Sequence, residues 1–255
     1  MDKVPALVFG EVAHDYDRVR PEYPAQLIDD VLAFARLEDG APVLDIGAGT
    51  GRATLALAAR GAAVTALEPD PAMAAVLRGR APATVVVEVA ALERTEAPRN
   101  HFGLVTSAQS WHWTDPATRY ENVAALLRPG GALAIFWNRD WIADTALVEE
   151  HLAVHRRIAP QMDPSLGPVA WRGYPDLPDL AAHPAFTDVE RRIYRWTRRL
   201  TGTDTLTLLS THSEYRMLDD TTRRDLFEAL ARLLPDEVEF AGGTLLFLAR
   251  RDHRS

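Results

Sequence analysis

Five residues close together in the sequence carry the chemistry most open to interpretation: Asp45, Gly47, Gly49, Gly51 and, further on, Glu68. The glycines alternate through Gly47-Ala48-Gly49-Thr50-Gly51 and follow a short apolar run, Val43 to Ile46, that reads as a buried strand. An Ala- and Leu-rich stretch from Arg52 to Arg60 then reads as a helix. Strand, glycine turn and helix together form the geometry of a nucleotide-type cofactor site. Glycine lets the backbone approach a ligand that a Cβ would hold off, and the helix start aims free N–H groups at the same place.

Two cofactor classes compete for such a turn. Dinucleotide sites use G-x-G-x-x-G, whose third glycine allows close helix–strand packing. Here the spacing is G-x-G-x-G, and Arg52 stands where that third glycine belongs. A carboxylate just ahead of the turn, Asp45, disfavours a pyrophosphate and suits a cofactor that carries positive charge. Glu68 lies about 20 residues on, where an acidic residue accepts from ribose hydroxyls. The two acids favour S-adenosylmethionine over a nicotinamide.

These residues need a frame. Ala63 to Leu67 reads as a second strand, and Pro71 opens the next helix with Asp70 as its N-cap. Thr84 to Val89 and His101 to Ser107 read as the third and fourth strands. Pro116 to Leu127 reads as a helix closed by a turn at Pro129-Gly130-Gly131, and Ala132 to Trp137 as the fifth strand. The alternation predicts an α/β fold: a doubly wound, mostly parallel sheet. In such sheets ligands sit beyond the carboxyl ends of the strands, which puts weight on Asp45, Glu68, Ala90-Ala91, Ser107 to Trp113 and Asn138-Arg139. After Trp137 the regularity breaks. Asp144 to Ile158 reads as a helix, and a Pro-rich insertion over 140–185 reads as an irregular cap. The pattern then gives part-alternating Phe186 to Leu200, helices over Asp204 to Ser210 and Thr221 to Leu234, and a last strand from Gly243 to Ala249. No linker divides the chain, so one domain over 1–255 is expected, with 9–37 as an N-terminal arm that folds over the cofactor.

Composition narrows the function further. The chain has 255 residues, no cysteine and a net charge of −8. Thiol catalysis, disulfides and Cys-ligated zinc are excluded. The acidic balance argues against nucleic-acid partners. No long apolar run suggests a membrane segment, and the start of the chain lacks the layout of a signal peptide, so a cytoplasmic setting is expected. Lys3 is the only lysine, and this with the abundant alanine suggests a high-GC bacterial origin.

Asp45-Ile46-Gly47-Ala48-Gly49-Thr50-Gly51 with Glu68 resembles the cofactor motifs of class I S-adenosylmethionine-dependent methyltransferases. The resemblance continues through Ala91-Leu92-Glu93, Ser107 to Trp113 and Leu126 to Gly131. Phe9-Gly10, Tyr16-Asp17, Arg20-Pro21 and Tyr23-Pro24 are similar to the N-terminal arm of a subgroup that includes trans-aconitate methyltransferase-like enzymes of small molecules. The resemblance implies a Rossmann-like sheet of seven strands and assigns roles. Gly47, Ala48, Gly49 and Gly51 would pack on the methionine portion and ribose, and Glu68 would take the ribose hydroxyls. Pro69 or Asp70 would border the adenine, which Ala91 and Leu92 would meet. Ser107 and Gln109 would line the methionine end, and Tyr16 and Arg20 would close over the cofactor or its carboxylate. Many relatives carry Asp where Ala90-Ala91 stands here, which leaves Glu93 or backbone groups for the adenine amine.

The acceptor side is less marked. Trp111, Trp113 and Trp137 form candidate walls for a small-molecule acceptor, and Arg139 is the best placed of Arg139, Arg172 and Arg216 to pair with an anion. His112 is the candidate base, or an orienting group if the acceptor is a carboxylate and needs no base. His151 and His155 have a metal-compatible spacing but lack the glutamate of a His-Glu-x-x-His helix and read as surface residues. His212-Ser213-Glu214 lacks a nucleophile elbow and is not read as a hydrolase triad. The sequence reading is methyl transfer to a small molecule, most readily on oxygen. A non-methylating member of the same fold, or a nicotinamide-dependent oxidoreductase, is the rival. Oligomeric state is not legible.

Overall fold

A computed structural model describes residues 18–162, 164 and 177–253. Tyr16-Asp17, the Phe9-Gly10 pair and Arg172, with residues 163 and 165–176 of the Pro-rich insertion, lie outside the described residues. Where the sequence suggests one domain, the chain gathers into two compact units, each assembled from several stretches.

The sheet unit comprises Glu22–Asn138, Asp176–Tyr194 and Thr244–Ser255. Its strands belong to a seven-stranded sheet in the order β3-β2-β1-β4-β5-β7-β6. They are β1 (Pro42–Ile46), β2 (Ala63–Leu67), β3 (Val85–Glu88), β4 (Phe102–Ala108), β5 (Leu127–Ile142), β6 (Phe186–Thr201) and β7 (Glu237–Arg251). β1 pairs in parallel with β2 and with β4, as does β2 with β3 and β4 with β5. The chain steps outward from β1 to β3 and then returns to place β4 on the other side of β1. That reversal is the switch point at which open sheets bind ligands. The register brings Ile46 level with both Leu67 and Ser107, so the turn after β1 lies beside the ends of its two neighbours.

β4 is buried from Phe102 to Ser107, as a central parallel strand must be. α1 (Ala25–Ala35) buries Leu27, Ile28, Val31 and Ala35 and ends at Arg36, whose φ is 47°. α2 (Arg52–Ala58) and α3 (Pro71–Arg80) follow β1 and β2, and α4 (Arg119–Leu126) precedes β5. α3 starts as its sequence dictates: Asp70 accepts from the N–H groups of Ala72 and Met73, and Pro71 takes the first turn. Leu27, Val31, Val43, Leu57, Val64, Leu104, Phe136 and Leu246 meet in one core.

Two expectations about β5 are corrected. Pro129-Gly130-Gly131 does not separate helix from strand. β4 residues Phe102 and Leu104 face Leu127 and Ala132, so the turn sequence is absorbed as a bulge. Nor does regularity end at Trp137, for β5 runs on to Ile142.

The helical unit comprises Met1–Pro21, Arg139–Pro175 and Arg195–Gly243. It holds α5 (Thr145–Ile158), α7 (Gly202–Ser210), α8 (Ser213–Arg216) and α9 (Asp220–Leu233), whereas the short α6 (Pro178–Ala182) belongs to the sheet unit. Asp144, Thr201 and Asp219 cap α5, α7 and α9 with side-chain oxygens. Ile142, Leu147, Leu208, Tyr215, Leu226, Leu230, Val238 and Phe240 share a second core. His151 and His155, expected at the surface, are buried on α5. His155 bonds the His151 carbonyl through Nδ1 and the Tyr215 hydroxyl through Nε2, whereas neither nitrogen of His151 has a partner. Among the described residues no three His, Asp or Glu side chains converge as a metal site, and no helix is long and apolar enough to cross a membrane.

Candidate active site

The glycine turn closes with its amides committed. The Ala48 N–H donates to Leu67 O at 2.9 Å, Gly51 N–H to Ala48 O at 2.9 Å, and Gly49 N–H to Glu68 Oε2 at 2.7 Å. The other Glu68 oxygen accepts from Asp70 N–H at 2.8 Å. Glu68 is nearly buried, and burial is the main cause that raises its pKa, with Asp70 and Asp45 adding like charge. A dinucleotide turn presents free N–H groups to a pyrophosphate. In this turn an anionic carboxylate takes the Gly49 N–H, and the local charge favours a cation.

The three glycines serve different ends. A Cβ on Gly47 would lie 2.4 Å from Ser110 Cβ, and one on Gly51 would lie 2.2 Å from Leu77 Cδ1, so these two are demanded by packing. Gly49, at φ +60°, has nothing within 4 Å of where its Cβ would stand. It is the open floor of the turn.

Asp45 does not reach toward a ligand. It is fully buried; its Oδ2 accepts from the Thr54 hydroxyl at 2.6 Å and its Oδ1 from the Thr106 hydroxyl at 2.8 Å. It ties α2 to β4 across β1. Burial raises its pKa to about 6, opposed by those two hydroxyls. The signal for this brace was Thr106, which with Ser107 interrupts an otherwise apolar buried strand.

Several other predicted contacts are reassigned. Ser107 is fully buried and bonds the Ser110 hydroxyl at 2.7 Å. Ser110 spends its proton on Ile46 O, so Ser107 is the donor between them. The pair pins the β4 end to the β1 end beneath Gly47, and Ser110 was not singled out from sequence. Leu92 is buried in a short 3₁₀ turn, so only the half-buried Ala91 beside it remains reachable, and Pro69 is exposed at the β2 end. Trp111 is 1% exposed and packs on Tyr120 with Arg119 over its ring; Trp137 is buried edge-on to Phe247. Both are core residues and not acceptor walls. Trp113 stays 46% exposed, and His112 is exposed with its ring 4.6 Å from that of Trp113. Gln109 adopts φ +63°, donates its N–H to Phe136 O, and reaches Asn138 O with its side-chain amide at 3.1 Å. It is thus fixed just past the end of β4, against the interior of β5.

In the helical unit, Arg20 is half-buried and holds Thr211 through its hydroxyl at 3.0 Å and its carbonyl at 3.1 Å. The His212 imidazole, 3.8 Å from Glu214, is the main cause that depresses the Glu214 pKa, and Arg20 and the exposed Arg139 add to it. Asp140 is paired with Arg198 at 2.7 Å. Arg216 is half-buried on α8.

Residues 44–135 match the family model described as a methyltransferase domain. An uncharacterized methyltransferase of Mycobacterium tuberculosis is 36% identical over 209 residues, covering 82% of this chain and 77% of that one. An uncharacterized methyltransferase-like protein of Schizosaccharomyces pombe is 23% identical over 249 residues, 93% of each chain. Among solved structures, a protein of Anaeromyxobacter dehalogenans assigned as a type II methyltransferase superposes with a TM-score of 0.65 at 22% identity, covering 91% of this chain and 97% of that one. Phosphoethanolamine N-methyltransferase 2 of Haemonchus contortus, solved with phosphomonomethylethanolamine and S-adenosylhomocysteine, gives 0.55 at 17% identity over 98% of this chain and 61% of that one.

Proposed function

Because the chain belongs to the class I S-adenosylmethionine-dependent methyltransferase family, we propose that it methylates a small-molecule acceptor on oxygen, at a hydroxyl or a carboxylate. The observation that carries the cofactor side is the Gly49–Glu68 bond, which takes a turn amide away from phosphate and leaves the open Gly49 floor beside a carboxylate. Glu68 has lone pairs left to accept from ribose hydroxyls. Asp45, Glu68 and Asp70 set a negative potential that favours a sulfonium.

S-Adenosylmethionine supplies a methyl group already activated by its sulfonium charge. The residues of this chain then have to orient and desolvate. Glu68 and the Gly49 floor fix the ribose end, and Ala91 and Pro69 border the base. Gln109, held by Phe136 O and Asn138 O, presents a rigid edge just past the end of β4. A net charge of −8 supports a small molecule over nucleic acid.

Two measurements test this reading. Calorimetry with S-adenosylhomocysteine is expected to show binding in the micromolar range, and no heat at millimolar ligand would remove the cofactor assignment. Mass spectrometry on a panel of carboxylic acids, phenols and amines with labelled cofactor is expected to find methyl gain on an oxygen acid. Gain confined to amines would overturn the oxygen assignment.

A further inference from the structure

We infer that Trp113 is the stacking wall for the adenine of the cofactor, where the sequence had put it on the acceptor side, and that Glu93 positions it. This rests on the methyl-transfer reading, and every residue in it belongs to the sheet unit.

Trp113 ends the 3₁₀ turn Trp111–Trp113 that follows β4. One side of that turn is tied to the glycine turn. The Ser110 hydroxyl donates to Ile46 O, and Ser110 Cβ fills the space that a Cβ on Gly47 would need. Trp113 N–H donates to Ser110 O at 2.9 Å. The other side is tied to the segment after β3, where Glu93 Oε1 accepts from Asp115 N–H at 2.8 Å. Asp115 is a fixed corner: its carbonyl accepts from the N–H groups of Thr118 and Arg119, and its Oδ1 from Ala117 N–H. Between these anchors Trp111 and Thr114 are buried, whereas His112 and Trp113 are exposed.

These two ties decide which part of the cofactor Trp113 meets. In the sheet β2 lies between β1 and β3. A turn anchored to the β1 end and to the segment after β3 therefore spans the β2 end, where Glu68 and Pro69 stand. Trp113 is two residues from Asp115, and Ala91 is two residues from Glu93. Two residues of chain reach at most about 7 Å, so neither stands far from the Glu93–Asp115 bond. Trp113 thus belongs with Ala91 and Pro69, the border of the base, and not with Gln109 at the methionine end.

The chemistry of the surface agrees. Of the sheet unit's tryptophans, Trp111 and Trp137 are core, and only Trp113 is exposed. Val89, just past β3, is a second large apolar side chain exposed at that end. An indole face left in water gains when a flat, uncharged ring covers it. Polar recognition of the base is thin here. Ala90 and Ala91 bring no acceptor for the adenine amine, and Glu93 spends Oε1 on the Asp115 amide. Stacking carries the hold on the base, and Glu93 is the latch that keeps the indole in place.

Calorimetry and tryptophan emission test this without any acceptor. Trp113→Ala is expected to weaken S-adenosylhomocysteine and free adenosine by the same factor, roughly 10- to 100-fold, with melting within about 2 °C of the wild type. Trp113→Phe keeps a ring and is expected to bind within about threefold of the wild type. S-Adenosylhomocysteine is expected to quench wild-type emission, and the quench is expected to vanish in Trp113→Phe. Glu93→Ala is expected to weaken binding severalfold and to reduce that quench. Wild-type affinity in Trp113→Ala, or an equal quench in wild type and Trp113→Phe, would overturn the stacking role, and an unchanged quench in Glu93→Ala would overturn the latch. If Trp113→Ala does not fold, the comparison of wild type with Trp113→Phe decides. A wild-type protein that binds no S-adenosylhomocysteine would overturn the methyl-transfer reading as well, so the two failures are told apart.

Discussion

Gly49 N–H and Glu68 Oε2 lie 2.7 Å apart, and this bond joins the turn after β1 to the end of β2. One residue therefore shapes the cradle and supplies its anionic acceptor. The second Glu68 oxygen, on Asp70 N–H, fixes the carboxylate plane.

Replacing Glu68 with alanine removes a charged hydrogen-bonding group from the ribose side and frees the Gly49 amide. Such bonds contribute about 1.5–3 kcal/mol each. Calorimetry on Glu68→Ala is expected to show S-adenosylhomocysteine binding weakened by roughly 10- to 100-fold. An unchanged affinity would take Glu68 out of the ribose role.

Gly49 and Gly51 separate binding from folding. In Gly49→Ala the new methyl enters open space, and only the left-handed φ costs stability, about 1–2 kcal/mol. That methyl also fills the floor on which the cofactor packs, so the variant is expected to stay folded and lose cofactor affinity by tenfold or more, on the order of 1.4 kcal/mol. In Gly51→Ala the methyl meets Leu77 Cδ1 at 2.2 Å, so the loss is expected in melting temperature. Thermal melts and calorimetry on both variants check the split. A Gly49→Ala protein that binds normally would show that the ligand lies elsewhere.

Much of this was legible because it is encoded locally. The alternation of β1, α2, β2 and α3 is written in glycine spacing, in apolar runs and in the Asp70-Pro71 start, so the fold class and the cofactor type follow from it. Glu68 is legible for the same reason, as the acid at the next strand end. Illegible were contacts that depend on what folds over what. Asp45 sits at the right place in the chain for a ligand group, but Thr54 and Thr106 arrive from α2 and β4 to claim both its oxygens. Trp111 and Leu92 likewise stand in the right stretch, and burial turns them into core. His151 and His155 look like surface residues on a polar helix, yet the apolar side chains of the helical unit enclose them.

His151 is expected to make the protein acid-sensitive. Burial lowers its pKa from 6.5 to about 3, with charge on His155 adding to the effect. The unfolded chain therefore binds a proton that the folded chain refuses between these values, and stability falls as pH drops through that window. At pH 5 the loss relative to pH 7 is about 2 kcal/mol. His151→Leu removes two unpartnered buried nitrogens and is expected to raise stability at pH 7 by about 1 kcal/mol and to flatten most of that loss. Urea unfolding at pH 7 and pH 5 decides it, and an identical pH slope in the variant would sink the assignment.

Asp45 has the opposite sign. Its pKa is raised from 3.8 to about 6, so it contributes stability that is present in full below pH 3.8 and lost as pH rises through 6. The cost at pH 7 is about 3 kcal/mol. Asp45→Asn keeps one oxygen to accept from Thr54 or Thr106, and its amide needs an oxygen, which a rotated threonine hydroxyl provides. The variant is expected to be at least as stable as the wild type at pH 7, and to lose the fall in stability between pH 4 and pH 7. The charge that costs stability favours a cationic ligand, so the variant should discriminate differently between cofactor and product. Affinity for the sulfonium form is expected to fall by on the order of 1 kcal/mol more than affinity for uncharged S-adenosylhomocysteine. Calorimetry with both ligands at pH 7.5 reads the difference directly. Equal losses for the two would show that Asp45 acts only as the brace between α2 and β4.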